Sequence, residues 1–169
     1  MWRKARKNDI TTMVEMFFKH LNTNKNYISH GELQMGIAND ELVINEGAID
    51  LWKKYIEDHI EDTDSEVMVN EEQLLSNSDS KKTTKIIGFY VLEINSDGAE
   101  PFGVICDMLV DEAYRGKGIG REIFEQALKW FELKNIKDIY LESGKNNHSA
   151  HEFFEKLGFK MVSHIFKLG

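Results

Sequence analysis

At the centre of the sequence's chemistry lies the stretch Arg115-Gly116-Lys117-Gly118-Ile119-Gly120. The segment before it, Val104 to Val110, is apolar and predicts a strand, and the segment after it, Ile119 to Leu133, has the spacing of an amphipathic helix. Glycines let a backbone approach an anion closely, and the unpaired N–H groups of a helix's first turn point at that anion. Because Arg115, Lys117 and Arg121 add positive charge, the pattern predicts a turn that binds a phosphate or a diphosphate.

The spacing of this stretch separates several kinds of phosphate-binding turn. A P-loop needs G-x-x-x-x-G-K-S/T, and no Lys-Ser or Lys-Thr pair follows a glycine at that distance. A dinucleotide fingerprint needs a third glycine where this chain has Arg121. What remains is R/Q-x-x-G-x-G/A, filled by Arg115, Gly118 and Gly120. Alone, this motif is also compatible with an ordinary glycine-rich turn between a strand and a helix.

A second motif follows about thirty residues later. The segment from Asn147 to Phe159 matches N-x-x-A-x-x-F-Y-x-x-x-G-F, except that Phe154 stands at the tyrosine position. Together the two motifs resemble those of the GNAT superfamily of acyl-CoA N-acyltransferases, and the resemblance extends to the beginning of the chain. It implies acetyl-CoA as cosubstrate, and we expect no metal cofactor.

The resemblance also implies where coenzyme A binds. Pantetheine would pair with the backbone of the strand before the glycine turn, the diphosphate would bind the backbone N–H groups of the turn, and Asn147 would reach the pantetheine arm. The implied cofactor-binding residues are Met108, Leu109, Val110, Arg115, Gly116, Lys117, Gly118, Ile119, Gly120, Arg121, Asn147 and Phe154.

Direct transfer of an acetyl group to an amine needs an unprotonated amine, stabilisation of the carbonyl oxygen and help for the leaving thiolate. A strand N–H near Leu109 or Val110 could stabilise the oxygen. The family's usual tyrosine would protonate the thiolate, but the phenyl ring of Phe154 has no proton to give. Three hypotheses stay open: the thiolate leaves unaided or with water, His151 or His148 substitutes, or the chain binds coenzyme A without catalysing transfer.

Two carboxylates are candidates for the general base, and with His151 they complete the predicted catalytic set. Asp107 lies on the strand that borders the acyl site, and Glu142 lies on the next predicted strand. Asp107 could equally be an ordinary strand residue.

Composition limits the partners. A net charge of −8 argues against nucleic acid, and no apolar run approaches the length of a membrane span. The single cysteine, Cys106, excludes a disulfide framework and is interpreted as a buried, inert thiol rather than a nucleophile. No apolar segment follows the N-terminal charges, so we expect a cytoplasmic protein. Eight acidic residues between Glu57 and Glu72 form either a solvated surface or a field that concentrates a cationic amine.

The predicted elements give an α/β fold in one domain, residues 1–169: a GNAT-like mixed sheet with helices on both faces. Strands are predicted at Trp2 to Arg6, Val67 to Val69, Lys85 to Asn95, Phe102 to Val110, Asp138 to Ser143 and Phe159 to Lys167. Helices are predicted from Ile10 to Leu21, around Glu32 to Ile37, from Ile49 to Ile60, from Ile119 to Leu133 and from Ala150 to Leu157. Ser76 to Thr84 is polar and predicts an exposed, mobile hairpin loop.

Three functions compete. The first is an N-acetyltransferase acting on a primary amine of a small cationic molecule or a peptide, and the second is a coenzyme A-binding regulatory module on the same fold. The third, a nucleotide-binding protein unrelated to the family, is disfavoured by the missing P-loop lysine and the missing third glycine. The resemblance also allows a homodimer through the last strands.

Overall fold

The computed structural model describes residues 1–75 and 82–168. Its sheet has five strands in the order β1-β2-β3-β4-β5. The three pairings from β1 to β4 are antiparallel, and β5 pairs with β4 in parallel. The strands are β1 (Trp2–Lys4), β2 (Ser65–Leu75), β3 (Lys82–Asn95), β4 (Phe102–Val110) and β5 (Ile139–Leu141).

Five α-helices accompany the sheet. They are α1 (Ile10–Thr23), α2 (His30–Met35), α3 (Ala48–Glu61), α4 (Ile119–Leu133) and α5 (His148–Lys156). The central strand β3 shows how they are placed, because successive side chains of a strand point to opposite faces. Phe89 and Val91 belong to the core beneath α1 and α3, whereas Tyr90 and Leu92 belong to the core beneath α4. Both faces are therefore covered, and the predicted mixed α/β fold is confirmed.

Helices α1 and α3 are joined through large aromatic side chains. Phe17 of α1 stacks on Trp52 of α3 with ring centroids 4.3 Å apart, and Trp52 in turn contacts Phe89 of β3. Trp52 is only 1% exposed. This core fixes the side of α3 that carries Tyr55 and His59 against the sheet.

A β-bulge interrupts the pairing of β3 with β4. Val91 pairs with Asp107 and Leu92 with Ile105, so Cys106 is the extra residue on β4. On the other side, β5 pairs with β4 only from Gly103 to Ile105. Beyond this point β4 runs on to Val110 without a strand neighbour on its β5 side among the described residues, so the sheet opens there.

The N-terminus is held by a charged network. The guanidinium of Arg3 donates to Asp9 at 2.7 and 2.8 Å and also pairs with Glu71 of β2. Asp9 additionally accepts a hydrogen bond from the backbone N–H of Arg6 at 2.7 Å. This network ties β1 and the start of α1 to β2.

The prediction of a final strand from Phe159 to Lys167 is wrong. The segment up to Leu168 forms no strand, and several of its apolar side chains are exposed: Met161, Val162, Ile165, Phe166 and Leu168. Its β-branched and apolar content favours a strand locally, but a strand needs a partner, and β5 is only three residues long. Only Phe159 packs inward, against Phe124.

Other differences concern the ends of elements. The predicted strand from Val67 to Val69 extends over Ser65–Leu75, and the strand predicted from Asp138 to Ser143 shrinks to Ile139–Leu141. The predicted loop at Ser76 to Thr84 lies mainly outside the described residues, although 82–84 already belong to β3. None of the helices in the described part of the chain is both long and apolar enough to cross a lipid bilayer.

Candidate functional site

The glycine turn joins β4 to α4. After β4 the chain forms a short 3-10 helix, Glu112–Tyr114, in which the Asp111 carboxylate accepts a hydrogen bond from the Ala113 N–H at 3.0 Å. Gly116 and Gly118 then adopt positive φ angles of 74° and 87°, which only glycine accepts without strain. The predicted turn and the predicted start of α4 at Ile119 agree with this geometry.

The N-terminus of α4 is open to a ligand. Gly118 is its N-cap and makes no side-chain capping hydrogen bond. A Cβ placed on Gly116 or Gly118 would meet nothing within 4 Å, so the turn faces free space. Because the first N–H groups of a helix have no partner within it, this end of α4 presents donors to an anion.

The charged side chains of the turn are arranged unequally. The ammonium of Lys117 lies over the Tyr114 ring, 4.7 Å from its centroid. Arg115 instead folds back, and its Nε donates to the Val110 carbonyl at 3.1 Å. In this geometry Arg115 holds the turn together, whereas Lys117 lies beside the free space.

His20 is a neighbour of the turn that the sequence interpretation missed. Arg115 and Asn24 each place a side-chain nitrogen 3.2 Å from its Nδ1. Because both are donors, Nδ1 accepts and the ring proton lies on Nε2. Burial, and then the charge of Arg115, lower the pKa of His20 and favour this neutral form. A small cavity lined by Met16, Lys19, His20, Thr23, Asn24, Leu109, Val110, Asp111, Glu112 and Arg115 lies here.

Helix α5 packs against the start of α4. A Cβ on Gly120 would lie 3.2 Å from the Phe153 ring and 3.5 Å from the end of the Met108 side chain, so glycine permits this close approach. Phe153 is a second residue that the sequence interpretation did not single out. Phe154 turns instead toward Phe159, with ring centroids 6.1 Å apart.

The polar residues of α5 serve its own N-terminus. The Asn147 side chain accepts from the Ala150 N–H at 3.4 Å and thereby caps α5. His151 Nε2 lies 3.0 Å from the Gly144 carbonyl, to which it donates. The structure therefore places Asn147 at the N-cap of α5 and His151 within α5, where each already has a local hydrogen-bond partner.

Glu142 is likewise engaged. Its carboxylate lies 2.5 Å from His30 Nδ1 and accepts a hydrogen bond from the Gly31 N–H at 3.1 Å. Nearby, a Cβ on Gly144 would lie 2.2 Å from the Tyr27 carbonyl oxygen, so this glycine lets the two loops touch. Glu142 thus joins the end of β5 to the start of α2.

Asp107 has a different setting. The bulge at Cys106 directs it toward α3, where the Tyr55 hydroxyl donates to its carboxylate at 2.7 Å. Burial raises the pKa of Asp107 to about 6, although the hydrogen bond from Tyr55 opposes this shift. The nearby charge of Glu32 raises it further. Of the three predicted catalytic residues, Asp107 is the one with a desolvated carboxylate beside the open edge of β4.

Comparisons with known proteins agree with this geometry. The acetyltransferase (GNAT) family model matches residues 39–159. The chloroplastic GCN5-related N-acetyltransferase 6 of Arabidopsis thaliana is 32% identical over 69 residues, which cover 41% of this chain and 24% of the plant protein. The chain therefore matches about a quarter of that relative's length.

Two solved structures share the fold along the whole chain. The tetramutant of the BH1408 protein from Bacillus halodurans has a TM-score of 0.70 at 19% identity, covering 100% of this chain and 99% of that chain. A predicted acetyltransferase from Clostridium acetobutylicum, solved with acetyl-CoA, has a TM-score of 0.69 at 18% identity and covers 100% and 95%. The range matched by the family model contains β4, the glycine turn and the whole of α5, and on this ground the chain belongs to the acetyltransferase (GNAT) family.

Proposed function

We propose that this protein is an N-acetyltransferase that moves an acetyl group from acetyl-CoA to a primary amine of a small cationic molecule or a peptide by direct attack. The observation that carries the proposal is the junction of β4 and α4. There a strand loses its β5 neighbour after Ile105 and runs into a helix N-terminus that no side chain caps. One such junction offers an extended backbone to pantetheine and free N–H groups to a diphosphate.

In this proposal coenzyme A binds mostly to backbone. The diphosphate accepts hydrogen bonds from the N–H groups of residues 116–121, with Lys117 and Arg121 adding charge. Pantetheine lies along Met108, Leu109 and Val110 on the open side of β4. Arg115 acts by holding the turn through the Val110 carbonyl. Phe154 and Asn147 border the pantetheine arm from α5.

Asp107 serves as the base in the proposed reaction. It takes a proton from the acceptor ammonium, directly or through water, and the free amine forms a bond to the thioester carbon. A backbone N–H near Leu109 or Val110 stabilises the oxyanion. The nitrogen then loses its second proton to water, the carbon–sulfur bond breaks, and coenzyme A leaves as a thiolate. No step of the proposed reaction uses a metal ion.

The leaving group receives its proton from water in this mechanism. Phe154 has no hydroxyl, and His151 already donates its Nε2 hydrogen to the Gly144 carbonyl. Glu142 is paired with His30 and the Gly31 N–H, which makes it a weaker candidate for the base than Asp107. We retain both residues as part of the site's border, where Glu142 holds the end of β5 against α2 and His151 holds the Gly144 carbonyl of the β5–α5 loop.

A cationic acceptor is favoured by charge near Asp107. Glu32 lies close enough to affect the pKa of Asp107, so two carboxylates bear on the same region. The acidic stretch from Glu57 to Glu72 supports this less well, because several of its members are paired elsewhere. The pairs are Asp58 with Lys54, Glu61 with Lys7, and Glu71 with Arg3.

The alternative function is a coenzyme A-binding module with weak or no catalysis, which the phenyl ring of Phe154 favours. The test that separates the two functions combines calorimetric titration of acetyl-CoA and ATP with mass spectrometry of an amine panel. The panel contains polyamines, aminoglycosides, amino acids and peptides with free N-termini. Acetyl-CoA binding with an acetylated product supports the enzyme. Tight acetyl-CoA binding with no product across the panel supports the regulatory module, and preferential ATP binding overturns both.

We also propose that the protein assembles as a homodimer. We propose the cytoplasm as its compartment, because a free thiol such as that of Cys106 is compatible with a reducing environment. Phe166 is 91% and Val162 76% exposed in the C-terminal segment, and a second copy of this chain would cover them. Light scattering after size-exclusion chromatography should give a dimer for the wild type and a monomer for Val162→Lys/Phe166→Lys. A wild-type monomer at all concentrations contradicts the dimer without affecting the proposed reaction.

A further inference from the structure

Three side chains with metal-binding atoms meet on the α3 face of the sheet. His59 comes from the last turn of α3, Glu93 from β3 and Cys106 from the bulge of β4. Glu93 Oε2 lies 3.2 Å from His59 Nε2 and 3.8 Å from Cys106 Sγ. All three ligand atoms lie within 4.8 Å of one another. The proposed acetyl transfer uses none of these residues.

These distances suit a tetrahedral ion. Zn²⁺ binds nitrogen, oxygen and sulfur at about 2.0–2.3 Å, which places ligand atoms of a tetrahedral site roughly 3.3–3.8 Å apart. The pairs His59–Glu93 and Glu93–Cys106 are close to that spacing without any movement of the backbone. A thiolate together with an imidazole favours Zn²⁺ over Mg²⁺ or Ca²⁺, which prefer oxygen ligands.

The surroundings orient the ligands. His59 Nδ1 lies 2.8 Å from the Tyr55 carbonyl oxygen one turn earlier in α3. Because a carbonyl only accepts, Nδ1 carries a proton, and in the neutral imidazole the lone pair of Nε2 faces Glu93. A backbone partner of this kind is the usual support of a metal-binding histidine.

The cluster is enclosed but reachable. The His59 side chain is 13% exposed and the Glu93 side chain 39% exposed, so Glu93 forms the solvent side of the cluster. An ion can enter past Glu93, and water can complete the coordination. Binding would displace one proton, from the Cys106 thiol to solvent, because only the thiolate is a ligand.

We propose that His59, Glu93 and Cys106 bind one Zn²⁺ ion with water as the fourth ligand, and that this ion fastens the end of α3 to the bulge of β4. The competing interpretation is an ion pair between His59 and Glu93 beside an inert thiol. The two interpretations differ in the state of sulfur, since only metal binding creates a thiolate–metal bond.

Co²⁺ is the probe for this difference, because a thiolate bound to Co²⁺ gives a charge-transfer band in the near ultraviolet. The chain has a single cysteine, so any such band in the untagged protein comes from Cys106. We expect a near-ultraviolet band that saturates at one Co²⁺ per chain, accompanied by the visible bands of tetrahedral Co²⁺. Addition of Zn²⁺ should abolish these bands by displacing Co²⁺. We also expect Tm to rise by about 5–10 °C when free Zn²⁺ exceeds its Kd about 100-fold.

Variants make the assignment specific. Cys106→Ser should lose the charge-transfer band, and Glu93→Gln and His59→Gln should weaken Co²⁺ binding by tenfold or more, on the order of one lost ligand. His164→Gln is the matched control, since it removes an exposed histidine from the C-terminal segment. The Glu93 side chain is 39% exposed, so Glu93→Gln should fold even if Cys106→Ser, at a half-buried position, does not.

Two results would overturn the site. One is the absence of a thiolate band in folded wild-type protein at saturating Co²⁺. The other is a band and a Tm shift that remain unchanged in Glu93→Gln and His59→Gln. Either result leaves the proposed acetyl transfer untouched, since the cluster takes no part in it.

Discussion

Helices α3 and α4 begin in nearly the same way. Gly47 is the N-cap of α3 with φ 81° and ψ −5°, and Gly118 is the N-cap of α4 with φ 87° and ψ −6°. Neither start has a side-chain cap, and a Cβ on either glycine would meet nothing within 4 Å. Two equal backbone arrangements thus lie in one protein, yet only one is proposed to hold a ligand.

The difference lies in what flanks each start. Gly47 follows Glu46, and Asp50 lies in the first turn of α3, so negative side chains accompany its free N–H groups. Gly118 follows Arg115 and Lys117 and lies at the end of a strand with an open edge. Glu122, the acidic residue in the first turn of α4, accepts a hydrogen bond from Trp2 instead. A glycine at a helix start therefore indicates an anion-binding site only where positive side chains and an open strand edge accompany it.

Helix α3 contributes to the site through its side, where Tyr55 donates a hydrogen bond to Asp107 of β4. The variant Asp107→Asn removes the carboxylate itself and should have the largest effect. The amide cannot take a proton from the acceptor, so we expect kcat to fall roughly 10²–10⁴-fold. Calorimetry should give an unchanged Kd for acetyl-CoA, because coenzyme A binds at the start of α4. Tyr55→Phe, which removes the 2.7 Å hydrogen bond but keeps the carboxylate, should lower kcat much less. A full kcat in Asp107→Asn would remove Asp107 from the mechanism.

The packing of α4 against β4 is the second feature to test. A Cβ on Gly103 of β4 would lie 2.4 Å from the ring of Phe131, which is fully buried in α4. Gly103→Ala should therefore cost about 1–3 kcal/mol of unfolding free energy in urea titrations, as for other overpacked cores. Gly98→Ala is the control, because its Cβ meets only an ordinary contact at 3.5 Å. Equal midpoints for the two variants would show that Phe131 moves aside at no cost.

The sequence predicts α4 and its glycine turn well because their information is local. The periodic apolar spacing predicts a helix from Ile119 to Leu133, and those are its ends in the structure. Gly116 and Gly118, the glycines of this turn with positive φ, also lie within the predicted motif.

The pairs on the side of α3 could not be predicted in this way. Tyr55 and Asp107 are 52 residues apart, and His59, Glu93 and Cys106 come from three elements. Their meeting depends on the bulge at Cys106, which shifts the side chains that follow it, and no local pattern marks that bulge. The wrong prediction of a final strand has the same cause. Phe159 to Lys167 has strand propensity, but no local pattern indicates whether a neighbouring strand is available to pair with it.

Exchanging the two N-cap glycines for alanine compares the helix starts directly. Gly118→Ala and Gly47→Ala should each cost about 1–2 kcal/mol of stability, because both force alanine into a left-handed conformation. Only Gly118→Ala should weaken acetyl-CoA binding, by roughly tenfold, since it distorts the N–H groups proposed to hold the diphosphate. If Gly47→Ala weakens binding equally, the loss reflects general destabilisation and not the turn.

A third helix start gives the smallest expected effect and extends the comparison to acid pH. Asp9 precedes α1, and its carboxylate is turned toward Arg3 rather than along the helix. The side-chain hydrogen bond from Arg3 is the main cause that lowers the pKa of Asp9, and it likewise lowers the pKa of Glu71. Carboxyls with lowered pKa values in the folded state stabilise it fully above their ordinary pKa values of 3.8 and 4.5. That stabilisation is lost as the pH falls through the folded-state values.

Arg3→Gln removes the guanidinium that pairs with Asp9 and Glu71 and so measures how much these two ion pairs stabilise the folded state. At pH 7 we expect the free energy of unfolding of the variant to be about 1 kcal/mol lower than that of the wild type, since the pairs are only partly shielded from water. The gap should narrow as the pH falls below the ordinary pKa values of Asp9 and Glu71, because protonated carboxyls no longer gain from the guanidinium. Urea titrations of both proteins between neutral and acid pH measure it. A gap that stays constant down to acid pH would mean that Arg3 stabilises β1 by packing, and that this helix start, unlike that of α4, has no electrostatic role.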